Sequence, residues 1–119
     1  MTETEKEKLP MINEELIKAL TPICPNVYPD VYTGTQTEYI VFLYDIRPVN
    51  FGDDYPFNVT YDVRVHYLAP MKKNVIETRL EIIKAIANID YATYPEETNA
   101  TDDEGQHFVY DFEMQGDSV

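Results

Sequence analysis

The most regular stretch of the chain is residues 57–67, where Phe57, Val59, Tyr61, Val63, Val65 and Tyr67 alternate with Asn58, Thr60, Asp62, Arg64 and His66. A period of two puts each set on its own face, which predicts a long antiparallel strand with one apolar and one wet side. Upstream, YIVFLYDI at 39–46 has β-branched and aromatic residues at both alternating positions, which predicts a strand buried on both sides. Arg47-Pro48 should end it. The breaker cluster PVNFGDDYP then turns the chain so that 38–46 and 57–67 pair as a hairpin. Near the end, Phe108, Tyr110, Phe112 and Met114 alternate with Val109, Asp111 and Glu113, predicting a half-buried strand over 107–114.

Two segments follow the helical period instead. Ile12, Leu16, Ile17 and Leu20 mark a short amphipathic helix over Met11 to Leu20, with Glu14 and Glu15 early and Lys18 late, as the helix dipole favours. Residues 71–89 form a longer one, with Val75, Ile76, Leu80, Ile83 and Ile86 or Ala87 as its apolar side and Lys72, Lys73, Glu77, Arg79, Glu81 and Lys84 opposite. The proline-rich stretch between the first helix and residue 39 leaves room for a short edge strand around 27–32. The polar stretch from Tyr94 to Gln106 has the composition of a mobile loop. Residues 1–8 are a charged, fraying arm and 115–119 a short tail, on either side of one domain over 9–114.

This order, α-β-β-β-α-β, predicts an α+β domain: a mostly antiparallel sheet of about four strands with both helices on one face. The wet side of 57–67 then lies opposite the helices, and it is a candidate contact surface because an open sheet face meets either solvent or another subunit.

Charge narrows the range of partners. The 119 residues carry 22 Asp or Glu against 9 Lys or Arg, a formal net charge of −13. Gripping a phosphate backbone needs clustered Lys and Arg, and an anionic membrane would repel this chain for the same reason. The longest apolar run is strand-sized, too short for a membrane helix. The lone cysteine, Cys24, cannot form an intramolecular disulfide, and the opening MTETEKEK is not an apolar leader; both point to synthesis in a cytoplasm.

Catalytic chemistry finds little to stand on. Asp53-Asp54, Glu96-Glu97 and Asp102-Asp103-Glu104 are paired carboxylates, but in polar loops where nothing desolvates one member. His66 and His107 can meet only if their strands pair in the right register, and surface histidines are the simpler reading. Cys24 has no neighbouring His or Lys to activate it, and four scattered glycines write no phosphate loop. No cofactor, metal or catalytic residue is expected. Ten tyrosines, with Tyr55, Tyr91 and Tyr94 beside loops, point instead to protein contacts.

The succession of a short helix, a Tyr-Pro turn (Val27-Tyr28-Pro29), the strand YIVFLYDI, the strand FNVTYDVRVHYLA, the helix MKKNVIETRLEIIKAIANI and the strand HFVYDFEM resembles the tail terminator, or tail completion, proteins of long-tailed bacteriophages. The resemblance spans residues 11–114. It implies a ring, usually a hexamer, that caps the finished tail tube, stops further addition of tube subunits and faces a head completion or connector protein, with DNA passing through unbound. It places the protein in the virion, at the head-proximal end of the tail. Phe51, Asp53, Asp54, Tyr55, Arg64, His66, Tyr91 and Tyr94 are then candidates for subunit or partner contact. Residues 90–119 hold nine acids and no Lys or Arg, so Glu96, Glu97, Asp102, Asp103 and Glu104 become candidates for an acidic lumen. The rival reading is an acidic mimic of DNA that occupies a nucleic-acid-binding protein.

Overall fold

The computed structural model describes residues 11–49 and 58–117. Helix α1 (Met11–Leu20) is followed by β1 (Val27–Pro29), the long strands β2 (Tyr39–Val49) and β3 (Asn58–Ala69), helix α2 (Ile76–Ala87), β4 (Glu96–Asn99) and β5 (Gln106–Asp117). The strands form one sheet in the order β1-β2-β3-β5-β4. The β1–β2 pair is parallel and the other three pairs are antiparallel. Over the described residues the chain is therefore α+β with two helices, and its sheet is mixed and five-stranded where about four mostly antiparallel strands were expected.

The fifth strand comes from the stretch expected to be a mobile loop. Glu96 to Asn99 pair with Asp111 to Phe108, and a tight turn closes where Asp102 bridges Gly105. A run of EETN has no strand propensity to speak of, so its conformation is imposed by β5 alongside it. At the other end, Gln115 to Asp117 continue β5 rather than forming a tail. Strand β2 also runs on through Arg47-Pro48 to Val49. Proline is tolerated there because β1 reaches only as far as Phe42, leaving the rest of β2 as an edge that asks no ladder hydrogen bond of it.

One core lies between the helices and one sheet face. Ile12, Leu16 and Leu20 of α1 and Ile82 and Ile86 of α2 pack over Ile40, Phe42, Val63, Val65, Tyr67, Phe108, Tyr110 and Phe112, the alternating residues of three strands. Cys24 is buried in the same cluster, and burial pushes its thiol pKa up, as suits a small core residue. The expected hairpin is present, with Phe42 opposite Val65 and Tyr39 opposite Leu68. Tyr44 sits edge-on to Tyr61 and donates a hydrogen bond to Asn13 Oδ1 on α1 at 2.7 Å, marking how far the helices reach. Beyond it Ile46, on the helix side by alternation, is 60% exposed. The three long strands thus run past the helices, in a molecule 55 Å long.

Two expected burial patterns change. Strand β2 is buried on both sides only at its start: Val41 is covered on the reverse face from Ile40 and Phe42, but Leu43 and Asp45 beyond it are exposed. Helix α2 turns a different stripe to the sheet, since Val75, Ile82 and Ile86 are buried whereas Ile76 and Leu80 are 60% and 61% exposed. The helix has two apolar stripes, and periodicity alone does not say which one the sheet covers. It also starts later than expected, at Ile76, whose amide donates a hydrogen bond to Asn74 Oδ1 at 3.2 Å in a side-chain turn just before the helix. Among the described residues no helix is long and apolar enough to cross a membrane.

Candidate functional site

The uncovered face of the sheet is built by the odd-numbered residues of β2 and the even-numbered residues of β3, with their partners on β5 and β4. Their register lays down rows: Leu43, Arg64, Asp111, Glu96 in one, and Val41, His66, Val109, Thr98 in the next. A trough of about 680 Å³ crosses this face, lined by Leu43, Arg64, His66, Tyr94, Glu96 and Glu113 among others. The sequence-predicted candidates Arg64, His66, Tyr94 and Glu96 are thereby brought together on one surface.

Charges on this face interleave. Arg47 reaches both Asp62 at 3.1 Å and Glu113 at 2.8 Å, and Arg64 pairs with Asp111 at 2.8 Å. The hydrogen bond from Arg47 holds the Asp62 carboxyl below its ordinary pKa. All of these side chains are at least 42% exposed, so water screens each pair and the ladder orients groups more than it stabilises the fold. Asp30 and Asp45 also border the trough.

The β3–β5 register does bring the two histidines together. His66 Nδ1 and His107 Nε2 are 2.8 Å apart with ring centroids at 5.0 Å, so the two nitrogens meet almost head-on across a single shared hydrogen. Burial first, then the neighbouring His107 and Arg64, push the His66 pKa down. One nitrogen carries the hydrogen and the other accepts it, so the two face each other instead of a common metal centre, which is the geometry of a proton-sharing pair. Among the described residues no three His, Cys, Asp or Glu side chains converge as metal ligands.

The remaining candidates lie elsewhere. Tyr91, held at φ 65°, is 80% exposed at the far end of β5, where its carbonyl accepts a hydrogen bond from the Gln115 amide. Asp102, Asp103 and Glu104 form the exposed β4–β5 turn, where Asp102 accepts a hydrogen bond from the Glu104 amide. Glu97 faces the helices, away from the other acids. Phe51, Asp53, Asp54 and Tyr55 lie outside the described residues.

Glu97 corrects the expectation that no paired carboxylate meets a desolvating environment. It accepts two hydrogen bonds from Arg79 of α2, at 2.6 and 3.0 Å, and one at 2.7 Å from the hydroxyl of the buried Tyr110. Arg79 also lies 4.2 Å over the Phe108 ring. The Arg79 hydrogen bonds lower the Glu97 pKa against the opposing effect of burial, and burial with the adjacent carboxylate raises that of Tyr110. A matching latch sits nearer β1, where Tyr67 donates to Glu38 and Lys73 holds both Glu38 oxygens at 2.7 and 2.8 Å. There burial would raise the Glu38 pKa, but Lys73 and Tyr67 outweigh it and the net shift is downward.

Each latch satisfies a core tyrosine hydroxyl with a carboxylate and neutralises that carboxylate with a cation from α2 or the turn before it. The alternation already marked Tyr67 and Tyr110 as core residues, and a buried phenol needs a partner. It could not say which acid supplies it, because Glu38 and Glu97 come from a loop and an edge strand with no pattern of their own. With this geometry in view, the chain matches no known protein-family model and no curated protein sequence.

Proposed function

We propose that this chain is a structural protein of a phage tail, which assembles as a ring, most simply of six copies, on the head-proximal end of the tail tube. In that role it ends tube polymerisation and forms the tail side of the head–tail joint, with no catalysis of its own. The observation that carries the reading is the slab of long strands β2, β3 and β5, uncovered on one face and projecting past the helices. A stiff plate with one helix-backed side and one open side is what a ring wall requires. The succession of helices and long strands on which the resemblance rests supports it.

A ring also gives the acid of residues 90–119 a task. Carboxylates lining the bore would repel a passing genome, so that DNA slides without adhering. The reading of the chain as a DNA mimic is weaker, since Arg47 and Arg64 interrupt the acids of the open face, whereas a phosphate mimic needs an unbroken track.

Native mass spectrometry of the protein, alone and mixed with tail tube protein, tests the proposal. The expected result is a closed ring of about six copies on tube ends and tubes that no longer grow. Tubes that elongate unchanged in its presence would overturn the reading.

A further inference from the structure

Two unpartnered features lie on the same side of the molecule. Among the described residues strand β4 ends the sheet, and its outer edge is unpaired. The Ala100 amide points inward to the His107 carbonyl, and backbone alternation along the strand therefore turns the amides and carbonyls of Glu97 and Asn99 outward. Above this edge runs α2. Its Ala85, Asn88 and Ile89 lie towards Glu15, Lys18 and Ala19 of α1, and its Arg79 reaches over to Glu97. Helical spacing puts Ile76, Leu80, Ile83 and Ala87 on the flank beyond Arg79, away from α1, where Ile76 and Leu80 are exposed and Ala87 and Ile83, which packs against the core, are half-buried. An apolar helix flank thus overhangs a free strand edge.

We propose that this surface binds a second copy of the same chain about a two-fold axis. Both features are self-complementary in that arrangement. Antiparallel pairing of β4 with its symmetry mate, centred on Thr98, sets Glu97 against Asn99 and Glu96 against Ala100, so no carboxylate faces another. Antiparallel packing of the two α2 helices lays Ile76 on Ala87 and Leu80 on Ile83 of the other copy. Glu77 and Lys84 each follow the stripe by one residue, so both lie on its solvent side. The same packing sets Glu77 of each copy beside Lys84 of the other, giving two symmetric ion pairs at the rim. One axis serves both layers, because the Arg79–Glu97 bond ties the stripe, less than one helical turn from its centre, to β4 next to Thr98. The opposite edge is less suited to pairing: β1 has three residues and ends in Pro29, and the stretch of β2 beyond it is interrupted by Pro48.

The proposal concerns the free protein and does not rest on the tail reading. Light scattering or sedimentation of the wild type should give a mass that rises from one chain towards two through the micromolar range. Leu80→Glu, at a position exposed in the monomer, should raise the dissociation constant about tenfold or more while leaving the thermal unfolding of the monomer unchanged. Glu77→Lys and Lys84→Glu alone should each weaken pairing by about threefold to tenfold, and the double swap should restore it. The swap distinguishes this packing from a general loss of stability, since the two residues sit two helical turns apart within one chain. A mass of one chain at all concentrations overturns the proposal, as does any oligomer that neither Leu80→Glu nor the charge swap alters. Loss of pairing without rescue by the double swap overturns the antiparallel arrangement. A cap on tail tubes built from strictly monomeric free protein would sink this inference and leave the tail reading standing.

Discussion

The two faces of the sheet use the same chemical groups to different ends. On the helix side, among the described residues, carboxylates meet cations next to a buried tyrosine: the Arg79–Glu97 pair is 30% and 19% exposed and anchored to Tyr110. On the open side, Arg47 and Arg64 pair with acids while all four side chains remain 42–61% exposed. A charge pair contributes to stability when breaking it strands a group that water cannot reach, and little otherwise. The helix side therefore holds the fold together, and the open side is free to vary or to meet a partner.

Neighbouring residues on β2 give the sharpest way to break that contrast. Phe42 is fully buried and Leu43, the next residue, is partly exposed on the reverse face. Phe42→Ala should cost about 3–5 kcal/mol in urea unfolding, whereas Leu43→Ala should cost less than about 1 kcal/mol. Equal losses would mean that the open face is covered after all.

Arginines on the two sides make the next test. Arg79→Ala removes the Glu97 bonds and the contact with the Phe108 ring, and should cost about 1–3 kcal/mol. Arg64→Ala should stay within about 0.5 kcal/mol in the same assay.

Acid gives the smallest and most informative difference. Glu38 and Glu97 titrate below the ordinary 4.5 in the folded protein, so their ionised forms stabilise the fold above that pH. As pH falls through 4.5 towards the lower folded value, the unfolded chain takes up protons first and this stability is lost. The double variant Glu38→Gln, Glu97→Gln should flatten the dependence of the urea midpoint on pH in this range. Asp62 has the same sign, but its exposed pair with Arg47 should fade in high salt while the latch contribution persists.

What the sequence made legible follows from the same contrast. Strict alternation located β3, β5 and the core tyrosines, because one face of each is dry and the other wet. It failed where both positions are apolar, as in β2, and where a helix carries two apolar stripes, as in α2: a stripe exposed at Ile76 and Leu80 looks like core to any periodicity. It also failed at β4, whose four polar residues are extended because they pair with β5, and no local propensity announces that. The trough on the open face was implied by the wet side of β3, but its shape depends on which strand lies next to β3, and no residue pattern announces that β5 does.

That last neighbour bears on how the chain comes off the ribosome. In sequence β5 follows every other element, yet in the sheet it lies between β3 and β4. Until residues 106–117 have been synthesised, the nascent protein holds β3 with a bare edge and β4 with nothing to pair against. The domain cannot fold piecemeal from its front end. It must wait for β5, and during that interval its twelve-residue β3 edge is open to pairing with other chains.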